Sequence, residues 1–417
     1  MNSEERILAA LNLEMLDRVP LFELGVNPHP LLKLITFWKY IPNSIKHLVR
    51  RSGIYHEYID VLRDEFGMGK NYRVLFRRPL MMKRTSRILF TLPTNWKINY
   101  QKLIMYYFPI KILTKYDGIG YPIFPSTKVI GRKGGYLVIE SGMTVDIDPR
   151  TANIRWRSVA FPPNDENISN KQLQYIYKAL DNFDWEFGIK TYKKLRKLGL
   201  CMPITFLGIW EIWDSLYGVD HLSKFYYEIS REFRKKKGPI LDLWDRLENF
   251  FIEALERYSE IGVRIAGILD DLVYDEGTFV NPKFYREFLY PHYKNIINKA
   301  HKLGMKIFIH TDGKLEPVIK DLIDLGFDGI QSIQADVNNF KNIKENFGDK
   351  ICLIGGISSK RLELASPNEV YTEAKLKTII GKINGGYIAG SDNVIHDGVK
   401  MENWHAMVNA VLKYGKY

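Results

Sequence analysis

Residues 264–310 begin with RIAGILD and end with MKIFIH, two short apolar runs that each predict a β-strand. Between them a helical pattern runs from Pro282 to Leu303, and Asn281-Pro282 supplies a typical start signal for that helix. A strand, a helix and a second strand in this order predict a βαβ unit with parallel strands. This unit decides the fold class, because similar units of strands and helices precede and follow it along the sequence.

The alternation of strands and helices extends through most of the chain. Six consecutive repeats in the second half favour a closed barrel over an open sheet, and no GxGxxG motif follows the first predicted strand. We therefore predict an α/β fold, a (β/α)8 TIM barrel that forms a single domain over residues 1–417. Further strands are predicted at residues 19–24, 118–124, 203–209, 328–331, 351–354 and 387–389, and further helices at 239–261, 315–325, 337–347, 366–380 and 401–414.

Two stretches of the N-terminal half depart from this pattern. Residues 30–115 are predicted to form an insertion or an elaborated early loop. Residues 135–158 alternate apolar and polar side chains around Asp148-Pro149-Arg150, which predicts a β-hairpin insertion. Both insertions are expected to belong to the barrel domain, because no linker long enough to separate two domains is present.

The net charge of +12 is concentrated in the first insertion. Residues 66–116 contain eleven Lys and Arg, no Asp or Glu, and interleaved aromatic residues. Contact with an anionic membrane surface or with a protein partner is compatible with this pattern. So is a basic, aromatic-rich amphipathic insertion that packs on the barrel, which is the interpretation we favour. No nucleic-acid-binding motif accompanies the charge, so no nucleic-acid partner is expected.

Several other classes of protein are disfavoured by the sequence. The acidic start MNSEERILAAL does not resemble a secretory signal, and the apolar stretch at 103–113 is broken by Pro109 and Lys111. The two cysteines, Cys201 and Cys352, are too few and too far apart for a disulfide framework or a CxxC metal site. We therefore predict a cytoplasmic protein with two buried, reduced thiols.

Candidate functional residues follow from the barrel, whose active sites lie at the carboxyl ends of the strands. His310 ends a predicted strand, and a period of two places Asp312 on the same side of the extended backbone. An imidazole and a carboxylate at one point are able to hold a divalent metal or to act as a general acid–base pair. The alternative is that Asp312 caps the following helix while His310 forms local hydrogen bonds.

The other strand ends add further candidates. Asp270 and Asp271 follow another strand, and one of them is expected to face the mouth with a catalytic role; capping of the next turn is the alternative. Gly355-Gly356 lies where many barrels hold a phosphate on backbone amides, although turn glycines explain the pair equally well. The predicted catalytic residues are His310, Asp312, Asp270 and Asp271, and the predicted substrate-binding residues are Arg18, Gln331, Gly355, Gly356 and Asp392.

The sequence also resembles the uroporphyrinogen decarboxylase superfamily, which includes tetrapyrrole decarboxylases and corrinoid-dependent methyltransferases. From about residue 203 to the end the similarity is nearly unbroken. This resemblance implies a (β/α)8 barrel, and by analogy it supports a homodimer. The motifs that carry it are RILAAL (6–11), DRVP (17–20), DEFG (64–67), YDGIG (116–120), DD (270–271), NPKFYREF (281–288), HTDG (310–313), GGI (355–357) and EN (402–403).

The resemblance implies two different activities. The decarboxylases carry an arginine-rich loop after the first strand, whereas this chain reads FELGVN at residues 22–27. The methyltransferases hold zinc with an HxC pair and a later cysteine. In this chain Asp312 replaces the first cysteine and Asp392 lies near the position of the second. A metal site of His310, Asp312 and Asp392 is therefore expected if the protein is a methyltransferase.

Our leading expectation from the sequence is a cofactor-free decarboxylase, a lyase that acts on a tetrapyrrole or another polycarboxylate. The net charge of +12 agrees with a small anionic substrate. The first alternative is a metal-assisted methyltransferase that uses zinc and a corrinoid protein docked over the barrel mouth. The second alternative is a barrel without catalytic activity that binds a membrane or a partner.

Overall fold

The computed structural model describes residues 1–26, 115–123, 129–133, 136–139, 143–147, 154–159, 170–212 and 222–417. The predicted insertion at 30–115 and the basic segment at 66–116 therefore lie outside the described residues, apart from residues 115 and 116.

The described residues form strands and helices that alternate over most of the chain. The strands are β1 Phe22–Glu23, β2 Gly118–Ile119, β3 Tyr121–Ile123, β4 Val129–Lys133, β5 Tyr136–Ile139, β6 Met143–Ile147, β7 Ile154–Val159, β8 Ile204–Leu207, β9 Ile265–Leu269, β10 Val273–Tyr274, β11 Gly277–Thr278, β12 Lys306–His310, β13 Gly329–Gln331, β14 Cys352–Ile354 and β15 Tyr387–Ile388. The helices are α1 Ser3–Leu11, α2 Asn170–Asp181, α3 Trp185–Leu195, α4 Leu222–Lys235, α5 Pro239–Ser259, α6 Pro282–Phe284, α7 Tyr290–Lys302, α8 Ile319–Leu325, α9 Phe340–Phe347, α10 Ser359–Leu364, α11 Pro367–Gly381 and α12 Met401–Tyr414.

The central sheet is a closed parallel barrel, as the sequence predicts. Seven of its strands follow the order β15-β14-β13-β12-β9-β8-β3. The ring closes through β1, because Leu21 bridges Ala389 in parallel after β15 while β1 pairs in parallel with β2. Since β2 and β3 flank Gly120 as two halves of one barrel strand, the ring has eight parallel positions.

Apolar side chains fill both sides of the barrel wall, which is why the strands read as continuous apolar runs. In β9 the residues Ile265 to Ile268 are all buried. Helix α5 buries Ile240, Leu243, Trp244 and Leu247, spaced three or four residues apart, against the same core. Cys201 and Cys352 are free and buried, as expected.

The helix predicted from residue 282 to 303 is interrupted in the structure. Residues Tyr285–Leu289 form a π-helical turn between α6 and α7, and the backbone amide of Tyr290 donates to the carbonyl of Tyr285. The physical reason is Pro291, which has no amide hydrogen for the carbonyl four residues earlier.

The predicted hairpin insertion is larger than expected. Strands β4 to β7 form a separate antiparallel sheet that pairs in sequence order. The pairing begins at Val129 rather than at residue 135. The prediction recognised the alternation over residues 135–158, where β5, β6 and most of β7 lie, but missed β4, the first strand of the sheet.

A buried ion cluster ties the amino end of the barrel together. The carboxylate of Asp117, which precedes β2, accepts from Arg6 Nη1 at 2.5 Å and from Arg18 Nη1 and Nη2 at 2.8 and 2.9 Å. It also accepts from the amide of Leu21 at 3.0 Å. Helix α1, the segment before β1 and the start of β2 are thereby joined at one carboxylate.

This cluster corrects the prediction that Arg18 binds substrate. Both terminal nitrogens of its guanidinium are bound to Asp117, and Arg18 precedes β1 at the amino end of the barrel. The predicted mouth lies at the opposite end, where β12 delivers His310.

Within the residues that the structure describes, no helix is both long enough and apolar enough to cross a membrane.

Replacing Asp117 by Ala should lower the free energy of unfolding by about 3–5 kcal/mol, because two arginines at the amino end lose their buried partner. The measurement is a urea titration of the wild type and the variant. As a matched control, Asp181→Ala removes a carboxylate from an exposed pair with Arg246 and should change stability by about 0–1 kcal/mol. Equal effects of the two substitutions would contradict the structural role of Asp117.

Candidate functional site

His310 is held in one orientation at the carboxyl end of β12. The residue is 9% exposed, and its Nδ1 atom contacts the side-chain Oε1 of Gln331, the residue opposite it at the end of β13. An amide oxygen only accepts hydrogen bonds, so this contact places the proton on Nδ1. In the neutral imidazole the lone pair is then on Nε2. Gln331 was predicted to bind substrate. In the structure it is only 2% exposed, and its side chain orients the imidazole of His310.

Two carboxylates face this lone pair. His310 Nε2 lies 3.8 Å from Oδ1 of Asp271, which follows β9, and 3.9 Å from Oδ1 of Asp312. Both distances are too long for hydrogen bonds. Two ligand atoms that are each about 2.0–2.2 Å from one metal ion are at most about 4.4 Å apart, so both distances fit ligation of a shared ion.

The three side chains form a candidate metal centre, the Asp271–His310–Asp312 cluster. Their ligand atoms all lie within 4.8 Å of one another. One imidazole nitrogen and two carboxylate oxygens are ligands that divalent first-row metals accept. The predicted convergence of His310 and Asp312 is therefore present in the structure, and Asp271 completes the set.

The surroundings of the Asp312 carboxylate favour binding of a cation. Its Oδ2 accepts from Asn393 Nδ2 at 2.6 Å, whereas its buried Oδ1 has no hydrogen-bond partner among the described residues. Burial raises the pKa of Asp312, and the neighbouring His310 opposes that shift. A buried carboxylate oxygen beside an imidazole lone pair is unfavourable without a positive charge between them, so the donor set fits a divalent ion. Asp312 does not cap the next helix, because α8 begins after Val318 without a side-chain cap.

Asp270 does not share this site, although it precedes Asp271 directly. Its side chain is fully buried, and it accepts from the amides of Trp210 at 2.9 Å and Glu211 at 2.7 Å and from the hydroxyl of Tyr293. Burial raises the pKa of Asp270 to about 7. Since adjacent residues of an extended strand point to opposite sides, only Asp271 reaches the mouth. The predicted catalytic role of Asp270 is replaced by anchoring of the loop after β8.

Asp392 is also used structurally, contrary to its predicted place among the metal and substrate ligands. Its Oδ1 accepts from the amide of Ser359 at 2.8 Å and its Oδ2 from the amide of Ala335 at 3.0 Å. Both oxygens therefore serve backbone groups of neighbouring loops. Asp271 occupies the third position of the metal cluster instead.

The Gly355 amide is not free for the anion site predicted at the glycine pair after β14. The amide of Gly355 donates to the carbonyl of Ile388, and the carbonyl of Gly356 accepts from the Nζ atom of Lys377. A side chain at Gly355 would collide with the carbonyl oxygen of Ser391 at 2.5 Å. The glycines therefore allow two loops to approach each other closely.

Glu23 is a buried acid at the mouth to which the sequence analysis assigned no role. It is 1% exposed and accepts from the Ser391 amide at 3.0 Å, the Ser391 hydroxyl at 2.5 Å and the Tyr116 hydroxyl at 2.8 Å. Burial raises the pKa of Glu23 to about 7. The available signal was an acid at the carboxyl end of the first predicted strand, a position that faces the mouth in such barrels.

The comparisons with known proteins give a family match over the second half of the chain. Residues 216–414 match the family model described as Uroporphyrinogen decarboxylase (URO-D). Two relatives, each named Methylcobamide:CoM methyltransferase MtaA, come from Methanosarcina barkeri and from its strain Fusaro / DSM 804. They are 25% and 24% identical over 151 residues, which is 35% of this chain and 43% of each relative. The match thus spans less than half the length of these relatives.

A solved structure described as a methyltransferase from Methanosarcina mazei has the same fold. It is 16% identical, with a TM-score of 0.59 and coverage of 99% of both chains. Residues 216–414 are therefore similar to the uroporphyrinogen decarboxylase family, and the chain has the fold of the methyltransferase from Methanosarcina mazei.

A pH-dependent stability difference should reveal the buried acid Glu23. Its pKa is about 7 in the folded protein and about 4.5 when exposed, so the folded state retains the proton to higher pH. Its contribution to stability is therefore lost as the pH rises from about 4.5 to about 7. Relative to Glu23→Gln, which does not titrate, the wild type should lose about 2–3 kcal/mol between pH 4.5 and 7.5.

Urea titrations of both proteins at the two pH values measure this difference. Glu253→Gln, which changes an exposed acid paired with Arg257, is the control and should show little pH-dependent difference from the wild type. The assignment fails if Glu23→Gln differs from the wild type by the same amount at both pH values.

Proposed function

We propose that this protein is a metal-assisted methyltransferase that transfers a methyl group from a corrinoid to a thiol. The observation that carries the proposal is the Asp271–His310–Asp312 cluster, with one imidazole nitrogen and two carboxylate oxygens within 4.8 Å of one another. The relatives named Methylcobamide:CoM methyltransferase and the fold of the methyltransferase from Methanosarcina mazei support the same class of reaction.

The residues of the cluster would hold a divalent ion, which supplies Lewis acidity that lowers the pKa of a bound thiol. Gln331 holds His310 through Nδ1, which leaves Nε2 as the ring nitrogen that faces the two carboxylates. Asp271 is oriented because its Oδ1 accepts from the amide of Asp312 at 2.8 Å. The two negative charges of Asp271 and Asp312 together balance the charge of a divalent ion. The partial burial of all three side chains limits the access of water that would compete for coordination to the ion.

Decarboxylation of a polycarboxylate, the leading expectation from the sequence, has weaker support. Among the described residues, the carboxyl ends of β9 and β12 place the partly exposed carboxylates of Asp271 and Asp312 at the mouth. Such a mouth repels a polyanionic substrate more than it attracts one. The similarity to methyltransferases therefore agrees better with the charges that the site presents. We therefore also propose that a corrinoid protein is a partner of this protein.

The purified protein should contain about one divalent metal ion per chain, measured by mass spectrometry after purification without chelators. His310→Ala, Asp271→Asn and Asp312→Asn should each lower the bound metal by at least about tenfold, because each removes one ligand. His301→Ala is the matched control, since it removes an outer imidazole that is 2.9 Å from a carboxylate oxygen of Asp328. Wild-type protein free of metal, or full metal content in all three variants, would refute the proposed centre.

A direct activity test uses methylcobalamin as the methyl donor and CoM as the thiol, with the corrinoid followed by its absorbance. We expect demethylation that depends on the metal and is lost in His310→Ala but retained in His301→Ala. Release of CO2 from uroporphyrinogen by metal-free protein would instead favour the decarboxylase.

A further inference from the structure

We propose that Asn393 is a positioning residue that orients Asp312 for metal binding, an inference that rests on the proposed function. Asn393 Nδ2 donates to Asp312 Oδ2 at 2.6 Å. The other oxygen, Oδ1, has no hydrogen-bond partner among the described residues and lies 3.9 Å from His310 Nε2. One oxygen is thus held by an amide and the other is left to bind an ion.

The chemistry of the asparagine suits this task. Its amide donates a hydrogen bond without adding charge, so the carboxylate remains fully negative toward a cation. A lysine in its place would neutralise Asp312, and an aspartate would repel it. The amide also prevents the carboxylate from turning both oxygens toward the metal, which favours ligation through Oδ1 alone.

The backbone around Asn393 is anchored from several directions. Residues 390–393 form the loop after β15. In this loop the Ser391 hydroxyl donates to Glu23 and lies 3.0 Å from the carbonyl oxygen of Asn393. The amide of Asp392 donates to the carbonyl of Ile357 at 2.8 Å. The carboxylate of Asp392 accepts from the amides of Ala335 and Ser359.

These anchors explain why Glu23 is buried next to the loop without joining the cluster. Glu23 holds both the amide and the hydroxyl of Ser391, two residues before Asn393. On its other side it accepts from the Tyr116 hydroxyl, which in turn accepts from Trp404 Nε1 at 2.9 Å. The buried chain from Trp404 to Ser391 fixes the loop, and the loop fixes the amide of Asn393.

The role of Asn393 is separable from loop folding. The anchors of the loop use Ser391, Asp392 and backbone atoms, whereas the side chain of Asn393 donates to Asp312. Replacing this side chain therefore leaves the anchors in place and releases only the carboxylate. A variant that folds normally but binds metal more weakly is the expected signature.

The test measures the dissociation constant of Co²⁺ by titration against a competing chelator. Asn393→Leu, which has nearly the same shape but no donor, and Asn393→Ala should each bind Co²⁺ about 10–100-fold more weakly than the wild type. The visible absorption bands of bound Co²⁺ should also change in intensity, because a released carboxylate alters the coordination. Asn346→Leu is the matched control, since the side-chain amide of Asn346 in α9 bonds only within its own helix.

Thermal unfolding of each variant shows whether the fold is retained. Unchanged Co²⁺ affinity and unchanged absorption bands in a folded Asn393 variant would overturn the positioning role while leaving the proposed function intact. A wild-type protein that does not bind Co²⁺ would overturn the proposed metal function, and the positioning role would fall with it.

Discussion

The pairing that closes the barrel between β15 and β1 is the contact on which the site depends. The amide of Ala389 donates to the carbonyl of Pro20, and its carbonyl accepts from the amide of Phe22. Closure of a parallel ring brings the carboxyl ends of all strands to one rim. Because of this closure Glu23 and Ser391, which are 368 positions apart, share hydrogen bonds. The same rim brings Asp271, His310 and Asp312 together from two neighbouring strands.

The acids of this rim differ in their burial and in how their oxygens are used. Asp270 and Asp392 each have both oxygens bonded to backbone amides, so these carboxylates hold loops together. Asp271 and Asp312 accept fewer bonds, and their Oδ1 atoms face the lone pair of His310. The structural acids Asp270 and Asp392 are therefore almost fully buried among backbone donors, whereas the side chains of the candidate ligands Asp271 and Asp312 are about one-third exposed and have fewer donors around them.

The barrel and the centre of the site follow from local sequence, whereas the outer part of the site does not. Apolar runs predicted the strands, and helical periodicity predicted the helices. The period of two along an extended backbone predicted that the side chains of His310 and Asp312 converge. The choice of Asp271 over Asp392 as third member depends on loop amides at Ala335 and Ser359, which are distant in sequence. Glu23 and Asn393 lie in or close after strands that local patterns predict, but the contacts of Glu23 with Ser391 and of Asn393 with Asp312 join distant parts of the chain, and no local pattern encodes them.

The proposed ligand set has a consequence for the chemistry of the site. The HxC pair and later cysteine that the resemblance attributes to the methyltransferases would surround the metal with one imidazole and two thiolates. The Asp271–His310–Asp312 cluster gives the same formal charge, because each carboxylate also carries one negative charge. Oxygen donors are harder than sulfur and transfer less electron density to the ion. An ion bound by these residues should therefore be the stronger Lewis acid toward a thiol. The ligands must then be held in place by their neighbours. Gln331 orients the imidazole of His310, and the backbone amide of Asp312 orients the carboxylate of Asp271.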